Sequence, residues 1–322
     1  EPTITDANLL LGRLNPAGLL GVQGAAGLDR IREIFDKKIG AHLGLGPHEV
    51  ASAIVRVAND KMAGAIRLVS LQRGHDPRDF VLFAFGGAGP LHAVALAREL
   101  AIPRVLVPAR PGITSALGCL VADVRHDFVK TVNQPVLQLD VDEARRILAG
   151  QVDEGRRLLA TEGVEIETVT IAHEADMQFV GQTHVLTVPI PRTDFAREDL
   201  TRAFEHAYWE RFEVELREMR AQVVSLRTAV IGRRRPVSLD GLIALEAAPN
   251  GGVRPASRRP VWFDGAWHDT PIYRREQLGV GAEFEGPAIV EQLDSTTVIE
   301  PGDRVRVDAL GNLEISVRPL GG

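Results

Sequence analysis

Cysteine is nearly absent: Cys119 is the single one among 322 residues. One thiol excludes an intrachain disulfide framework and any multi-thiolate metal centre, and it suits a reducing cytoplasm. Positive charge is not in excess either. Lys plus Arg number 37 against 43 Asp plus Glu, a net charge of −6. That balance excludes a chain that grips nucleic acid by neutralising phosphates, which needs a basic face. No apolar run approaches the ~20 residues that span a bilayer. The opening Glu1-Pro2-Thr3 has neither the basic start nor the apolar stretch of a secretory signal. It also lacks an initiating methionine, the first being Met62, so we read residue 1 as a cut point within a longer polypeptide. Internal repeats and low-complexity tracts are absent as well.

What remains is an ordinary globular composition, 45% apolar and 25% charged. The length suits two domains of about 150 residues each, and it buries a core without covalent staples. The leading section, to about residue 135, has α/β patterning. Thr5-Asp6 precede an apolar run over 7–14, which predicts a capped helix. Leu28, Ile31, Ile34 and Phe35 recur at helical spacing, and Pro47 opens a long amphipathic helix that ends near Arg73-Gly74. Residues 80–85 (FVLFAF) are uninterruptedly apolar, as expected of a strand buried on both faces. Gly86-Gly87-Ala88-Gly89-Pro90 breaks this run before a helix over 91–100, a strand at 104–107 and a helix over 114–121. Strand, glycine turn, helix and strand form the grammar of a sheet covered by helices.

The middle section predicts a helix over 142–163, two strands within 166–190 hinged at Gly181-Gln182, a helix over 197–220 and a strand over 222–231. Residues 247–260 have linker composition, and short strands separated by turns follow to the end. The expected division is therefore 1–135, an α+β region at 136–246, and a small β-rich module at 247–322.

The glycine turn is the most informative feature. A helix N-terminus after a buried strand offers unpaired N–H groups and a favourable dipole to an anion or a nucleotide. Gly86, Gly87 and Gly89 remove Cβ atoms where a flat ligand would lie against the backbone, and Pro90 suits the first helical turn. The same glycines equally suit a tight turn needed only for packing. Neither G-x-G-x-x-G nor a Walker loop is present.

Four segments, in order, carry a resemblance. They are TITDANLLLGRL at 3–14, the stretch FAFGGAGPLHAVALARELAIPRVLVPARPGITSALGCLVADVRHDFVKT at 83–131, MQFVGQ at 177–182, and GPAIVE at 286–291 followed by STT at 295–297. Together they resemble the hydantoinase A / 5-oxoprolinase family, which includes the ATP-binding subunits of acetone and acetophenone carboxylases. The third segment departs from the family's M-R-Y-x-G-Q, with Gln178 for Arg and Phe179 for Tyr. The resemblance implies an actin-like ATPase lobe of the sugar kinase/Hsp70 type in the α/β class, followed by the middle region and the β-rich module. Gly86, Gly87, Ala88 and Gly89 then stand where the adenosine-binding turn belongs. The family's phosphate-binding D-x-G-G-T hairpins, which precede the T-D-A-N segment, do not occur in this sequence.

The implied chemistry is ATP-dependent opening of a cyclic amide, in which phosphorylation of the carbonyl oxygen supplies a leaving group for attack by water. ATP and Mg²⁺ are the implied cofactors, the ion held mainly by the missing N-terminal half. The implied partners are that half and a hydantoinase B-like subunit. Alternatives are the nucleotide-binding subunit of a ketone carboxylase and a non-catalytic assembly module.

Among single residues, Asp6 is the candidate acid, able to hold Mg²⁺ through water or to orient a nucleophile, and equally able to be a plain N-cap. Asn8 and Ser115 are candidates to touch the nucleotide, or else a solvent-facing and a packing residue. His92 reads as a nucleotide contact or a helix-packing histidine. Asp123, His126 and Asp127 are not read as a metal cluster, because strand alternation separates neighbours. Cys119, among Leu117, Leu120 and Val121, is expected to be buried.

Overall fold

The computed structural model describes residues 1–18, 27–71, 73–215, 219–238 and 253–319. In chain order the leading elements are α1 (Ile4–Leu10), α2 (Leu28–Phe35), α3 (Ala41–Leu43), α4 (Pro47–Leu71), β1 (Val81–Phe83), α5 (Gly89–Glu99), β2 (Arg104–Val107) and α6 (Thr114–Val121). The middle contains β3 (Val124–Pro135), α7 (Val141–Thr161), β4 (Ile166–Phe179), β5 (Leu186–Ile190), α8 (Arg197–Phe212) and β6 (Ala221–Arg234). The tail adds β7 (Ser257–Phe263), β8 (Ala266–Arg274), β9 (Glu283–Glu285), β10 (Ala288–Glu291), β11 (Thr296–Ile299), β12 (Arg304–Val307) and β13 (Leu313–Ser316). Most elements fall where periodicity and turn residues put them. Residues 216–218 of the expected helix and 247–252 of the expected linker lie outside the described residues, and the remainder of that linker runs directly into β7.

The α/β class holds, but the grouping differs from three consecutive regions. Residues 1–118 and 238–322 form one compact unit, and 119–237 form another. The reason lies in strand pairing. β1 and β2 are parallel, and β13 adds antiparallel to β2, with Leu313 opposite Val107 and Ser316 opposite Arg104. The sheet order is β1-β2-β13-β12-β9, so three of its five strands come from the tail. The tail is no separate module because its strands complete a sheet that the leading section only begins. A second sheet in this unit runs β11-β10-β8-β7. One core joins Ala93, Val94 and Ala97 of α5 with Val105, Val107, Ile315, Val290 and Ile299. A core of this kind is the main stabilising term of such a unit.

The other unit is an antiparallel sheet, β3-β6-β4-β5, whose core takes in α7 and α8. Asp140 caps α7 by accepting from the N–H groups of Asp142 and Glu143, each at 3.0 Å. Gly155 lets α7 approach the sheet closely; a Cβ there would lie 2.5 Å from Val230 Cγ2. On β3 the neighbours do face apart: Arg125 pairs with Asp127 at 2.8 Å, and His126 lies 3.0 Å from Glu162.

Two expectations about burial fail. Cys119 is exposed, because no residue of α6 is buried. The FVLFAF run is not covered on both faces. β1 is the terminal strand of its sheet, and Phe80, Val81, Phe83 and Phe85 are 51%, 40%, 46% and 45% exposed.

Candidate functional site

Ala84 is buried, and its N–H bonds to the Leu106 carbonyl at 2.9 Å, carrying the β1–β2 ladder up to the turn. The chain then leaves the sheet at Gly86, whose φ of +81° falls in the region that glycine adopts without strain. Its N–H donates to the Pro111 carbonyl at 2.7 Å, tying the turn to the loop after β2. A Cβ on Gly86 would meet nothing within 4 Å, so that side of the backbone is open. Gly87 and Ala88 are exposed. Ala88 is the N-cap residue of α5 and provides no capping side chain. The N–H groups of Gly87, Ala88 and Gly89 donate to no protein acceptor among the described residues. Three free donors at the N-terminus of an 11-residue helix form a receptive edge for an acceptor-rich ligand.

The other side of the turn is buttressed by the β10–β11 connection. The Ser295 hydroxyl donates towards the carbonyl oxygens of Gly86 and Gly87 at 3.4 and 3.3 Å. The Asp294 carbonyl oxygen would lie 3.1 Å from a Cβ on Gly87, and the Asp294 side chain fills the space a Cβ on Gly112 would need. Gln292 completes the brace, donating through Nε2 to the Ala109 carbonyl at 3.1 Å. Nothing in the local sequence pattern assigns Asp294 or Ser295 to this turn. Their signal was the STT segment downstream of GPAIVE, which marks a conformation but not the turn it supports.

Arg259 of β7 joins the first family segment to the last. Arg259 donates from Nε to the Gly12 carbonyl at 2.8 Å and from Nη2 to the Arg13 carbonyl at 3.1 Å. Its Nη1 pairs at 2.5 Å with buried Glu291, which also pairs with Arg274 at 3.1 Å. Gly12, at φ +71°, permits the approach, since a Cβ there would lie 2.3 Å from the Pro260 carbonyl oxygen. Arg13 is buried with its guanidinium 5.5 Å from the Phe263 ring centre. Burial lowers its pKa to about 10, with Asp264 opposing.

The remaining candidates take local roles. Asp6 closes a capping box on α1: its Oδ2 accepts from the Thr3 N–H at 3.0 Å and the Thr3 hydroxyl at 2.7 Å, while the Thr3 hydroxyl accepts from the Asp6 N–H. Asn8 is fully buried, not solvent-facing. Its Nδ2 donates to the Ile4 carbonyl at 3.0 Å, and its buried Oδ1 has no hydrogen-bond partner among the described residues. Ser115 is exposed on the first turn of α6. No hydrogen bond joins Asp6, Asn8 or Ser115 to the glycine turn among the described residues. His92 is a packing residue: buried, with Nδ1 2.8 Å from Asn59 Oδ1 of α4. Burial, then the charge of Arg13, lowers its pKa.

For the cofactors, the turn suits the nucleoside side of a nucleotide, having a Cβ-free approach and unpaired donors. Among the described residues no group of three acidic, histidine or cysteine side chains is placed to hold a metal ion. No described helix is long and apolar enough to cross a membrane.

Comparison with known proteins places this geometry in context. A family model described as Hydantoinase/oxoprolinase matches residues 1–128, and one described as Hydantoinase/oxoprolinase C-terminal domain matches 141–315. An uncharacterized protein of Methanocaldococcus jannaschii is 39% identical over 319 residues, 98% of this chain and 44% of that protein. Caprolactamase subunit alpha of Pseudomonas jessenii is 30% identical over 329 residues, 98% of this chain and 46% of that subunit. The crystal structure of the ATP-dependent caprolactamase from that organism superposes with a TM-score of 0.74 at 27% identity, over 98% of this chain and 47% of that one. The nucleotide-free structure of acetone carboxylase shares the fold, with a TM-score of 0.63 at 24% identity over 97% and 46% of the two chains. The chain spans about half the length of each of these relatives.

Proposed function

The chain belongs to the hydantoinase/oxoprolinase family, and from that premise we propose that it is part of an ATP-dependent enzyme that opens cyclic amides. In this reading the leading unit contributes to an actin-type ATPase lobe and supplies the nucleoside side of the cleft. One observation carries the proposal: the open turn Gly86–Gly89, with three N–H donors unpaired at the head of α5. The phosphate-binding hairpins belong to the half of the subunit that this sequence does not contain.

Amide resonance makes a lactam or imide carbonyl a poor electrophile. ATP, when bound, supplies a phosphoryl group that turns the amide oxygen into a leaving group. The residues described here act by positioning. The glycine turn receives the flat base or sugar edge against bare backbone, and the α5 N-terminus favours negative charge near it. Asp294, Ser295 and Gln292 hold the turn in place from behind. Asp6, engaged with Thr3, acts through the cap of α1 and not as an acid. A hydantoinase B-like subunit, with the missing half, would complete the substrate pocket.

The test is reconstitution of the chain with the remaining half of the subunit and its partner subunit. Release of ADP is then followed with 5-oxoproline, hydantoin or caprolactam, and separately with a ketone plus bicarbonate. Turnover stimulated by a cyclic amide, and lost in Gly86→Val, supports the proposal. Turnover that requires ketone and bicarbonate instead assigns the chain to the carboxylase branch, whose fold it shares.

A further inference from the structure

The 119–237 unit contains a cavity of about 570 Å³ beside α8. Arg202, Glu205, His206 and Trp209 follow one another at helical spacing and form one exposed stripe along it. Glu213 ends the helix in the left-handed region, at φ +54°, with its N–H bonded to the Trp209 carbonyl at 2.8 Å. That reversal brings Val214 and Glu215 back against the stripe. The buried rings of Phe179 and Tyr208 form the base of the cavity, and exposed Trp209, Glu205 and Glu215 form its rim. The MQFVGQ segment builds the base. Phe179 ends β4 and lies edge-on to Tyr208 at 4.9 Å between ring centres, and the Tyr208 hydroxyl donates to Gln182 Oε1 at 3.3 Å. Position 179 is where the family pattern has Tyr, so Phe179 keeps a hydroxyl out of the base.

The rim has the opposite character. Arg202 is paired with Asp199 at 2.6 Å, and His206 lies 3.4 Å from Glu210. Glu205 has no hydrogen-bond or ion-pair partner among the described residues, and Glu215 adds a second carboxylate. Trp209 is 48% exposed and contacts no other ring among the described residues, which leaves its indole face open. An apolar base, an electron-rich ring face and a carboxylate without a cation complement an alkyl chain that ends in an ammonium group. An anion would meet Glu205 as a like charge, and a wholly apolar ligand would strip water from that carboxylate without replacing it.

We propose that this cavity is a binding site for a small alkylammonium ion, its chain on Phe179 and Tyr208 and its ammonium over Trp209 beside Glu205. Opening a lactam produces such a group. The amide C–N bond breaks, the oxygen of water joins the carbonyl carbon to give a carboxylate, and the nitrogen becomes a primary ammonium on the same chain. The occupant is therefore the ω-amino acid formed by ring opening. This identity rests on the proposed reaction, whereas recognition of the ammonium rests on the cavity alone.

The experiment titrates the purified 322-residue chain with 6-aminohexanoate, hexanoate and Nα-acetyl-lysine amide by isothermal calorimetry. The expected result is that 6-aminohexanoate binds at least tenfold more tightly than hexanoate, which lacks the ammonium. Trp209→Ala should weaken its binding at least tenfold and Glu205→Gln at least threefold. Both sites are exposed, so the melting temperature should not change. Absence of binding, or equal binding of 6-aminohexanoate and hexanoate, overturns the proposal. So does an affinity that either variant leaves unchanged. Binding of the lysine amide at least tenfold more tightly than 6-aminohexanoate would assign the cavity to a lysine of a protein partner and overturn the small-molecule occupant. In the reconstituted enzyme, amide-dependent ADP release without ammonium binding to the chain sinks this site and leaves the reaction standing. Ammonium binding without such release sinks the reaction and the product identity, and leaves the site.

Discussion

Ser295 and Gly87 are 208 residues apart, yet the Ser295 hydroxyl sits 3.3 Å from the Gly87 carbonyl oxygen. The connection between β10 and β11 thereby forms the rear wall of the glycine turn. The contact depends on bare backbone at Gly112, where a Cβ would lie 2.1 Å from Asp294 Oδ2 and 2.7 Å from Asp294 Cβ. Gly112→Ala should push the connection off the turn. It should cost roughly 1–3 kcal/mol of stability, more than the ~1 kcal/mol expected for Ser295→Ala. Chemical denaturation of both variants checks the order, and an equal or reversed ranking would show that Asp294 yields freely.

Gly12→Ala tests the link between the first and last family segments. The left-handed φ and the 2.3 Å approach to the Pro260 carbonyl oxygen act together there. A loss of roughly 2–5 kcal/mol is expected, with tryptophan fluorescence changing as Trp262, whose backbone N–H donates to the Leu11 carbonyl, loses its seat. A variant as stable as the parent would contradict the close approach.

Acid should weaken the 119–237 unit through Asp176. Burial by itself would raise this carboxyl, but bonds from Ser225 at 2.6 Å and Thr187 at 2.8 Å, with Arg227 at 3.3 Å, outweigh it and hold the pKa below 3.8. A lowered carboxyl stabilises the fold above its unfolded pKa, and that contribution disappears as pH falls through the folded value. Asp176→Asn should therefore be less stable near neutrality and should lose less on acidification below 3.8 than the parent does. Circular dichroism melts across that range provide the measurement.

His92 gives the opposite kind of group, with its pKa held below 6.5 by burial and then by Arg13. The unfolded chain takes up a proton near 6.5 that the folded chain refuses, so stability is complete above that pH and declines below it. His92→Gln should reduce the fall in melting temperature between about pH 7 and about pH 5. The reduction is partial, because His48 and His173 are lowered in the same direction.

The isolated chain is expected to bind adenine nucleotides weakly and to hydrolyse none. Isothermal titration and a coupled ADP assay on the purified 322-residue protein test this directly. Robust turnover by the chain alone would mean that the phosphates are held by residues described here.

Local chemistry made much of this protein legible in advance. Pro90 and the glycines start α5, and the Gly181-Gln182 hinge separates β4 from β5, because each depends on near neighbours in the chain; the cap expected at Thr5-Asp6 falls instead on Thr3, with Asp6 closing the box from the first turn. The short-range pattern also placed the glycine turn and identified the family. It could not reveal that β13 lies beside β2, that Arg259 joins Gly12 to Glu291, or that Asp294 and Ser295 brace the turn. All but the Arg259–Glu291 pair, 32 residues apart, join positions about 200 residues or more apart, whose proximity is created only when the two sheets close on one core. Burial was the other thing only the assembled unit decided. An apolar run states what a strand is suited to be covered by, and whether both faces of FVLFAF are covered depends on which polypeptide lies next to it.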